Sequence, residues 1–109
     1  MDSLSTRSTA AHEAASTGDL DILMALIEQF EDLIRAKDEN GWEPLHECIR
    51  SGHLDVVELL IQKGANINER TLDGEGDSPL RISLDVNGPD HPVTEYLLSL
   101  GAIDVGPDL

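Results

Sequence analysis

The sequence predicts an all-α solenoid of three helix-turn-helix repeats, and three observations support this prediction. The chain repeats with a period of 34 to 35 residues. Each copy joins turn residues to two segments whose apolar residues recur at helical spacing. Aromatic residues make up only 3 % of the 109 residues, so the core must be built from Leu, Ile, Val and Ala. A chain of this length is expected to form one domain, and such a core suits closely packed small helices.

The repeat is found by comparing the chain with itself. The segment Asp38-Glu-Asn-Gly-Trp-Glu-Pro-Leu45 matches Asp73-Gly-Glu-Gly-Asp-Ser-Pro-Leu80, which lies 35 residues later. Upstream, Thr9-Ala-Ala-His12-Glu aligns with Glu43-Pro-Leu-His46-Glu. We therefore divide residues 9–104 into three copies, about 9–37, 38–72 and 73–104, after a flexible lead-in at 1–8 and before a C-terminal tail at 105–109.

The middle copy shows why each element forms. Residues 38–41 are turn-forming types, and Pro44 suits the first position of a helix. Gly52 is expected to end that helix, and a second helix with an apolar face follows. Gly64 then suits a left-handed cap position at the end of the second helix.

The outer copies depart from the middle one. The third copy has Ser78 as a helix cap and Arg81 where the middle copy has His46, and two inserted residues precede Pro92, which should start the last helix. The first copy lacks the Pro-Leu pair and the Gly-Ala ending. Atypical terminal copies are expected, because an end copy has only one neighbour.

From Asp38 to Asn68 the pattern Asp-x-x-Gly-x-x-Pro-Leu-His, then Gly-His-x-x-Val-Val-x-Leu-Leu-x-x-x-Gly-Ala-x-x-Asn, resembles the ankyrin repeat. The resemblance covers residues 9–104. It implies an ankyrin-repeat solenoid whose helix pairs are linked by β-turn or hairpin loops. It also implies that His12 and His46 bond the backbone between neighbouring repeats, and that the module binds other proteins and is not an enzyme.

The same resemblance implies where a partner binds, because ankyrin partners usually contact the turn tips and the exposed side of each first helix. The positions carried over are Glu39, Asn40, Trp42, Arg50, Ser51, Glu75, Asp77 and Asp85. Trp42 is the only tryptophan and falls at a variable position. Tryptophan is a frequent anchor of protein interfaces, and the alternative is that Trp42 packs against a neighbouring turn.

The charge of the chain indicates which partners it selects. The formal net charge is −15, from 22 acidic and 7 basic side chains. Such a chain repels nucleic acid and anionic membranes, so neither is an expected partner. We expect a basic protein segment along an acidic concave surface. The alternative is that the acidic excess serves solubility alone.

Several residues resemble catalytic or metal sites without completing one. His12-Glu13 and His46-Glu47 begin a zinc motif, but the positions that should supply the second histidine are Ser16 and Arg50. Cys48 falls at a packed position, where a thiol is inert. We therefore predict no catalytic residue, no metal and no cofactor.

Two further interpretations come from resemblance. Asn68, at the last position of the repeat pattern, is a candidate substrate of asparaginyl hydroxylases, although its main role should be to bridge the turn backbone. Residues 91–109 are similar to ankyrin segments joined to prolyl 4-hydroxylase-type oxygenases. The alternative function is thus a non-catalytic targeting or regulatory arm of a larger enzyme such as a 2-oxoglutarate oxygenase.

Composition also bounds the compartment. Cys48 is the only cysteine, so no disulfide forms within the chain, and residues 1–11 contain no apolar core of a secretory signal. We expect an intracellular monomer, cytoplasmic or nuclear.

Overall fold

The structure, a computed structural model, describes residues 3–107 and is all-α over that range, as predicted. Its main helices are α1 (Ser3–Thr17), α2 (Leu20–Gln29), α3 (Pro44–Arg50), α4 (Leu54–Gln62), α5 (Pro79–Val86) and α6 (Pro92–Ser99). A 3₁₀ helix, Glu31–Arg35, follows α2, and a single turn, Thr71–Gly74, precedes α5. Within the described residues, no helix is both long enough and apolar enough to span a bilayer.

The helices stack as three pairs. Helices α1 and α2, α3 and α4, and α5 and α6 pack against each other, while α3 lies between α1 and α5. Helix α4 likewise contacts both α2 and α6. This arrangement gives one layer of first helices and one layer of second helices, the architecture expected of a solenoid.

The core is aliphatic, as the composition predicted. Its fully buried members include Leu23, Leu45, Leu60 and Leu97. Ala11 and Ala15 of α1 are also fully buried, and their short side chains allow α1 to approach its neighbours closely.

Prolines and glycines set the helix boundaries at the predicted positions. Pro44 and Pro92 each lie in the first turn of their helix, where the missing N–H costs no hydrogen bond. Gly52 has φ = +76° and Gly64 has φ = +103°, so both end their helices in the left-handed region that favours glycine.

The lead-in at 1–8, which the sequence predicted to be flexible, is helical over its described part, because α1 begins at Ser3. Contacts on this helix explain the extension. The Arg7 guanidinium lies 4.0 Å from the centroid of the Phe30 ring, and the His12 ring lies 2.7 Å from the Ser8 carbonyl oxygen. Residues 1–2 lie outside the described residues.

The alignment of the third turn is also corrected. The sequence paired Asp73 with Asp38, but Thr71 makes the equivalent contacts. Asp38 N–H donates to the Trp42 carbonyl, and Thr71 N–H donates to the Asp77 carbonyl. Likewise, Asp38 Oδ1 accepts from Trp42 N–H and Thr71 Oγ1 accepts from Asp77 N–H. The third turn therefore contains two more residues than the middle one.

The last repeat is closed by the chain that follows α6. Ser78 caps α5 by accepting from Arg81 N–H at 3.2 Å, as predicted, and its N–H donates to the Val105 carbonyl. The Arg81 guanidinium pairs with Asp85 at 2.8 Å and with Asp104 at 3.2 Å. Arg81 thus holds the tail against α5 in the absence of the histidine present in the other copies.

Neighbouring turns meet at Gly41, which gives a first testable prediction. Gly41 has φ = +73°, and a Cβ there would lie 2.8 Å from Leu72 N and 2.9 Å from Asp73 N. Gly41→Ala should lower the free energy of unfolding by about 2 kcal/mol, because backbone strain and a backbone clash add. Gly64→Ala is the control: its φ is also positive but no atom lies within 4 Å of its Cβ, so about 1 kcal/mol is expected. Equal losses in urea unfolding would contradict the close approach of the two turns.

Candidate partner-binding groove

A concave cavity of about 540 Å³ lies between α1, α3 and the turn before α3. Its lining is polar and includes four acidic residues: it consists of Ser8, Thr9, His12, Glu13, Ser16, Lys37, Asp38, Glu39 and Glu47. A second depression of about 280 Å³ is lined by Asp38, Asn40, Trp42, Glu47 and Arg50. Because Asp38 and Glu47 line both, we treat the two as one groove, defined by these residues.

The Lys and Arg side chains that line the groove, Lys37 and Arg50, each form an ion pair. Lys37 Nζ lies 3.3 Å from Asp73 Oδ1, and this hydrogen bond raises the Lys37 pKa, so the lysine stays charged. Arg50 Nη2 lies 2.9 Å from Glu47 Oε2. Glu13 and Glu39 are exposed and add further negative charge to the groove. Four carboxylates thus line the groove, and its Lys37 and Arg50 side chains are engaged in ion pairs.

His12 forms part of the groove floor and ties α1 to the next repeat. Its Nε2 lies 2.8 Å from the Trp42 carbonyl oxygen, while Nδ1 lies 2.7 Å from the Ser8 carbonyl oxygen. The inter-repeat bond agrees with the role that the ankyrin resemblance implied.

Trp42 is partly buried and makes two ring contacts. Its ring packs edge-to-face on His46, with centroids 5.7 Å apart, and the Arg50 guanidinium lies 5.9 Å from its centroid. The indole also packs against the core while lining the groove. Trp42 therefore packs against His46 and the core and also lines the groove. Its role in binding stays a prediction.

A buried latch formed by His46 and Glu43 fixes the start of α3. The His46 ring is fully buried; Nδ1 accepts from Glu43 N–H at 2.8 Å, and Nε2 donates to the Glu69 carbonyl at 2.6 Å. Burial lowers the His46 pKa, which favours the neutral ring that this arrangement requires. The latch therefore connects α3 to the segment that leads from α4 towards the third repeat.

Glu43 is the unusual member of the latch. Its side chain accepts from the His46 backbone N–H, but the residue is only 3 % exposed and Oε1 has no hydrogen-bond partner among the described residues. Burial, and then the Glu69 carboxylate, raise the pKa of Glu43. An ionised carboxylate at this position is costly.

Cys48 is placed as the sequence predicted. It is fully buried, its Sγ lies 3.2 Å from the Leu45 carbonyl oxygen, and burial raises the pKa of its thiol. A thiol held protonated in this way is a poor nucleophile and a poor metal ligand.

The predicted binding residues do not all meet in one place. Glu39, Asn40, Trp42 and Arg50 line the groove. Ser51 is exposed at its edge, where its Oγ lies 3.4 Å from Ser16 Oγ. The remaining three lie on the third repeat outside the groove lining: Glu75 and Asp85 are exposed, and Asp77 is half-buried. Their part in binding stays a prediction.

Sequence reasoning missed the contribution of the first repeat. Glu13 and Ser16 line the groove from α1, although only middle and third copies were used to choose binding residues. The signal was available, because Glu13 and Ser16 lie 34 residues before Glu47 and Arg50. Carrying Arg50 upstream by one period would have found Ser16, whereas Glu13 aligns with Glu47, which was not among the predicted binding residues.

Asn68 bridges neighbouring turns, as expected. Its Oδ1 accepts from Ile103 N–H at 2.9 Å, and its own N–H donates to Asn66 Oδ1 at 2.9 Å. The hydroxylation of Asn68 stays a prediction.

Comparisons with known proteins agree over most of the chain. Family models described as "Ankyrin repeats (3 copies)" and "Ankyrin repeats (many copies)" match residues 1–71 and 45–98. Alpha-latrocrustotoxin-Lt1a of Latrodectus tredecimguttatus is 36 % identical over 81 % of this chain, which covers 6 % of the toxin. Protein phosphatase 1 regulatory subunit 27 of Mus musculus is 37 % identical over 65 % of this chain and 46 % of the subunit. The 60 kDa lysophospholipase of Mus musculus is 49 % identical over 47 % of this chain and 9 % of that protein. The chain spans less than half the length of each of these relatives.

Proposed function

From the premise that the chain belongs to the ankyrin-repeat family, we propose that it binds a basic segment of a partner protein in the acidic groove between α1 and α3. Ankyrin repeats typically act as non-catalytic interaction modules, and one relative is named as a regulatory subunit of a phosphatase. Our proposal adds that the bound segment of the partner is basic and that it binds in this groove.

The observation that supports the proposal is that acidic side chains outnumber Lys and Arg side chains in the groove lining. Four carboxylates line it (Glu13, Asp38, Glu39 and Glu47), while Lys37 and Arg50 are engaged in ion pairs. A Lys or Arg side chain entering the groove gains attraction without displacing a free cation, and concave walls concentrate the field. Arg50 already lies over Trp42, so the indole face suits a cation.

The groove is tested by reversing two exposed charges that line it. The groove variant, Glu13→Lys/Glu39→Lys, should lose at least tenfold in affinity for partners that the wild type captures from a cell extract. The control, Asp21→Lys/Glu95→Lys, reverses two exposed acids on α2 and α6. Both variants change the net charge from −15 to −11, so any difference between them reports position and not total charge.

Captured proteins are identified by mass spectrometry at low and high ionic strength. Proteins kept by the wild type and the control, lost by the groove variant and released by salt would support the proposal. If the wild type, the groove variant and the control all retained the same partners, or if salt did not release them, the basic partner and the acidic groove would be rejected.

A second function is supported by the lengths of the relatives. The lysophospholipase relative is an enzyme by name, and this chain covers 9 % of it. The chain would then be a non-catalytic arm that positions or regulates a larger enzyme. The resemblance of residues 91–109 suggests that this enzyme is a 2-oxoglutarate oxygenase. Sequencing of full-length transcripts tests this, because a catalytic domain in the same reading frame is required.

A further inference from the structure

The turn before α5 contains an exposed leucine in an unfavourable backbone conformation. Leu72 has φ = 51° and ψ = 44°, and Asp73 has φ = 55° and ψ = 35°. These two are the non-glycine residues with positive φ in the described part of the chain. Two consecutive left-handed residues form the type of turn that favours Asn-Gly, whereas a Leu side chain is strained there.

The fold holds this conformation without using the leucine side chain. Thr71 N–H donates to the Asp77 carbonyl, Gly76 N–H donates to the Thr71 carbonyl at 2.9 Å, and Glu75 N–H donates to the Leu72 carbonyl at 3.2 Å. The Leu72 side chain belongs neither to the core nor to the apolar residues packed against it, and the residue is 52 % exposed. An Asn in its place would make the same backbone bonds with less strain.

The position of Leu72 connects it to the groove. A Cβ on Gly41 would lie 2.8 Å from Leu72 N, so the third turn lies directly against the turn that lines the groove through Asn40 and Trp42. The exposed carboxylates of Asp73 and Glu75 follow the leucine in sequence. Leu72 is therefore an exposed apolar side chain, followed by two acidic residues, on a turn that lies against the turn lining the groove.

We propose that Leu72 is an anchor for the partner, and that it contacts an apolar side chain of the basic segment bound in the groove. The inference rests on the proposed function and adds a requirement to it, because the bound segment must carry an apolar residue among its basic residues. Strained residues cluster at functional sites, and a strained, exposed leucine with no role in packing is explained by such a contact. Charge complementarity selects the basic segment as the occupant.

The substitution Leu72→Asn separates stability from binding. Because asparagine tolerates the left-handed conformation, Leu72→Asn should raise the melting temperature by about 5 °C. Leu98→Asn is the matched control, since Leu98 is also 52 % exposed but lies in the last helix, where asparagine is not favoured. A lower melting temperature for Leu72→Asn than for the wild type would overturn the strain argument.

Binding is measured with peptides selected from a random phage-displayed library on the wild-type chain. The enriched peptides should be basic with at least one apolar residue, and Leu72→Asn should weaken their binding at least tenfold in calorimetry. Leu98→Asn should leave it within about twofold, since a distant surface substitution has little effect.

The groove variant distinguishes failure of the anchor from failure of the function. Peptides weakened by the groove variant but not by Leu72→Asn would reject the anchor and leave the groove function intact. Absence of enriched peptides, or binding indifferent to the groove variant, would reject both.

Discussion

The substitution His46→Ala is expected to lower the free energy of unfolding by about 3–5 kcal/mol, the largest effect predicted for this chain. The ring is fully buried and bonds Glu43 N–H at 2.8 Å and the Glu69 carbonyl at 2.6 Å. Alanine leaves both backbone groups without a partner and leaves a cavity between α3 and the chain that follows α4. Urea unfolding followed by circular dichroism measures the loss.

The control for this prediction is His91→Ala. His91 Nδ1 accepts from Val93 N–H at 3.1 Å, which is a local helix cap and not an inter-repeat bond. Loss of such a cap costs about 1 kcal/mol. If the two histidine variants were destabilised equally, the bond to Glu69 would contribute nothing beyond a local cap.

The effect of His46→Ala on stability should depend on pH, because the folded-state pKa of His46 is lowered. Burial lowers the folded-state pKa of His46 below its ordinary value of 6.5. Its contribution to stability is therefore present above the unfolded-state pKa and is lost as the pH falls through the folded-state pKa. The difference between wild type and His46→Ala should shrink on acidification below about pH 6.5. A difference that is constant with pH would mean that His46 is not held neutral.

The substitution Glu43→Thr is expected to act in the opposite direction and raise the free energy of unfolding by about 2–3 kcal/mol at neutral pH. Glu43 is 3 % exposed, and its Oε1 lacks a partner among the described residues. Threonine keeps an oxygen for the His46 backbone N–H and removes the buried charge. For a domain of this size the gain corresponds to roughly 10 °C in melting temperature.

The sign of the pH effect makes this prediction specific. The folded-state pKa of Glu43 is raised above its ordinary value of 4.5, first by burial and then by Glu69. Glu43 therefore favours folding below its unfolded-state pKa, and that contribution is lost as the pH rises through the folded-state pKa. The gain from Glu43→Thr should shrink as the pH falls towards about 4.5.

Glu39→Thr serves as the control, because Glu39 is exposed and should change stability by less than about 0.5 kcal/mol. A gain for Glu43→Thr that did not depend on pH would show that the side-chain shape, and not the buried charge, limits the wild type.

The sequence by itself determined the helix boundaries, because these depend on the backbone preferences of individual residues. Pro44, Pro92, Gly52 and Gly64 mark helix ends through their own backbone preferences, which act without the rest of the fold. The repeat period and the aliphatic composition then determined the all-α stack and its core. The ankyrin resemblance further implied that His46 bonds backbone, and the structure shows such a bond to the Glu69 carbonyl.

Tertiary structure decided what depends on contacts between repeats. Thr71, not Asp73, opens the third turn because its bonds to Asp77 close a longer loop, and both residues are plausible turn formers in sequence. The burial of Glu43 and the joining of α1 to the groove arise when segments about one period apart pack together. Such contacts depend on the relative placement of helices, and local residue preferences do not encode it.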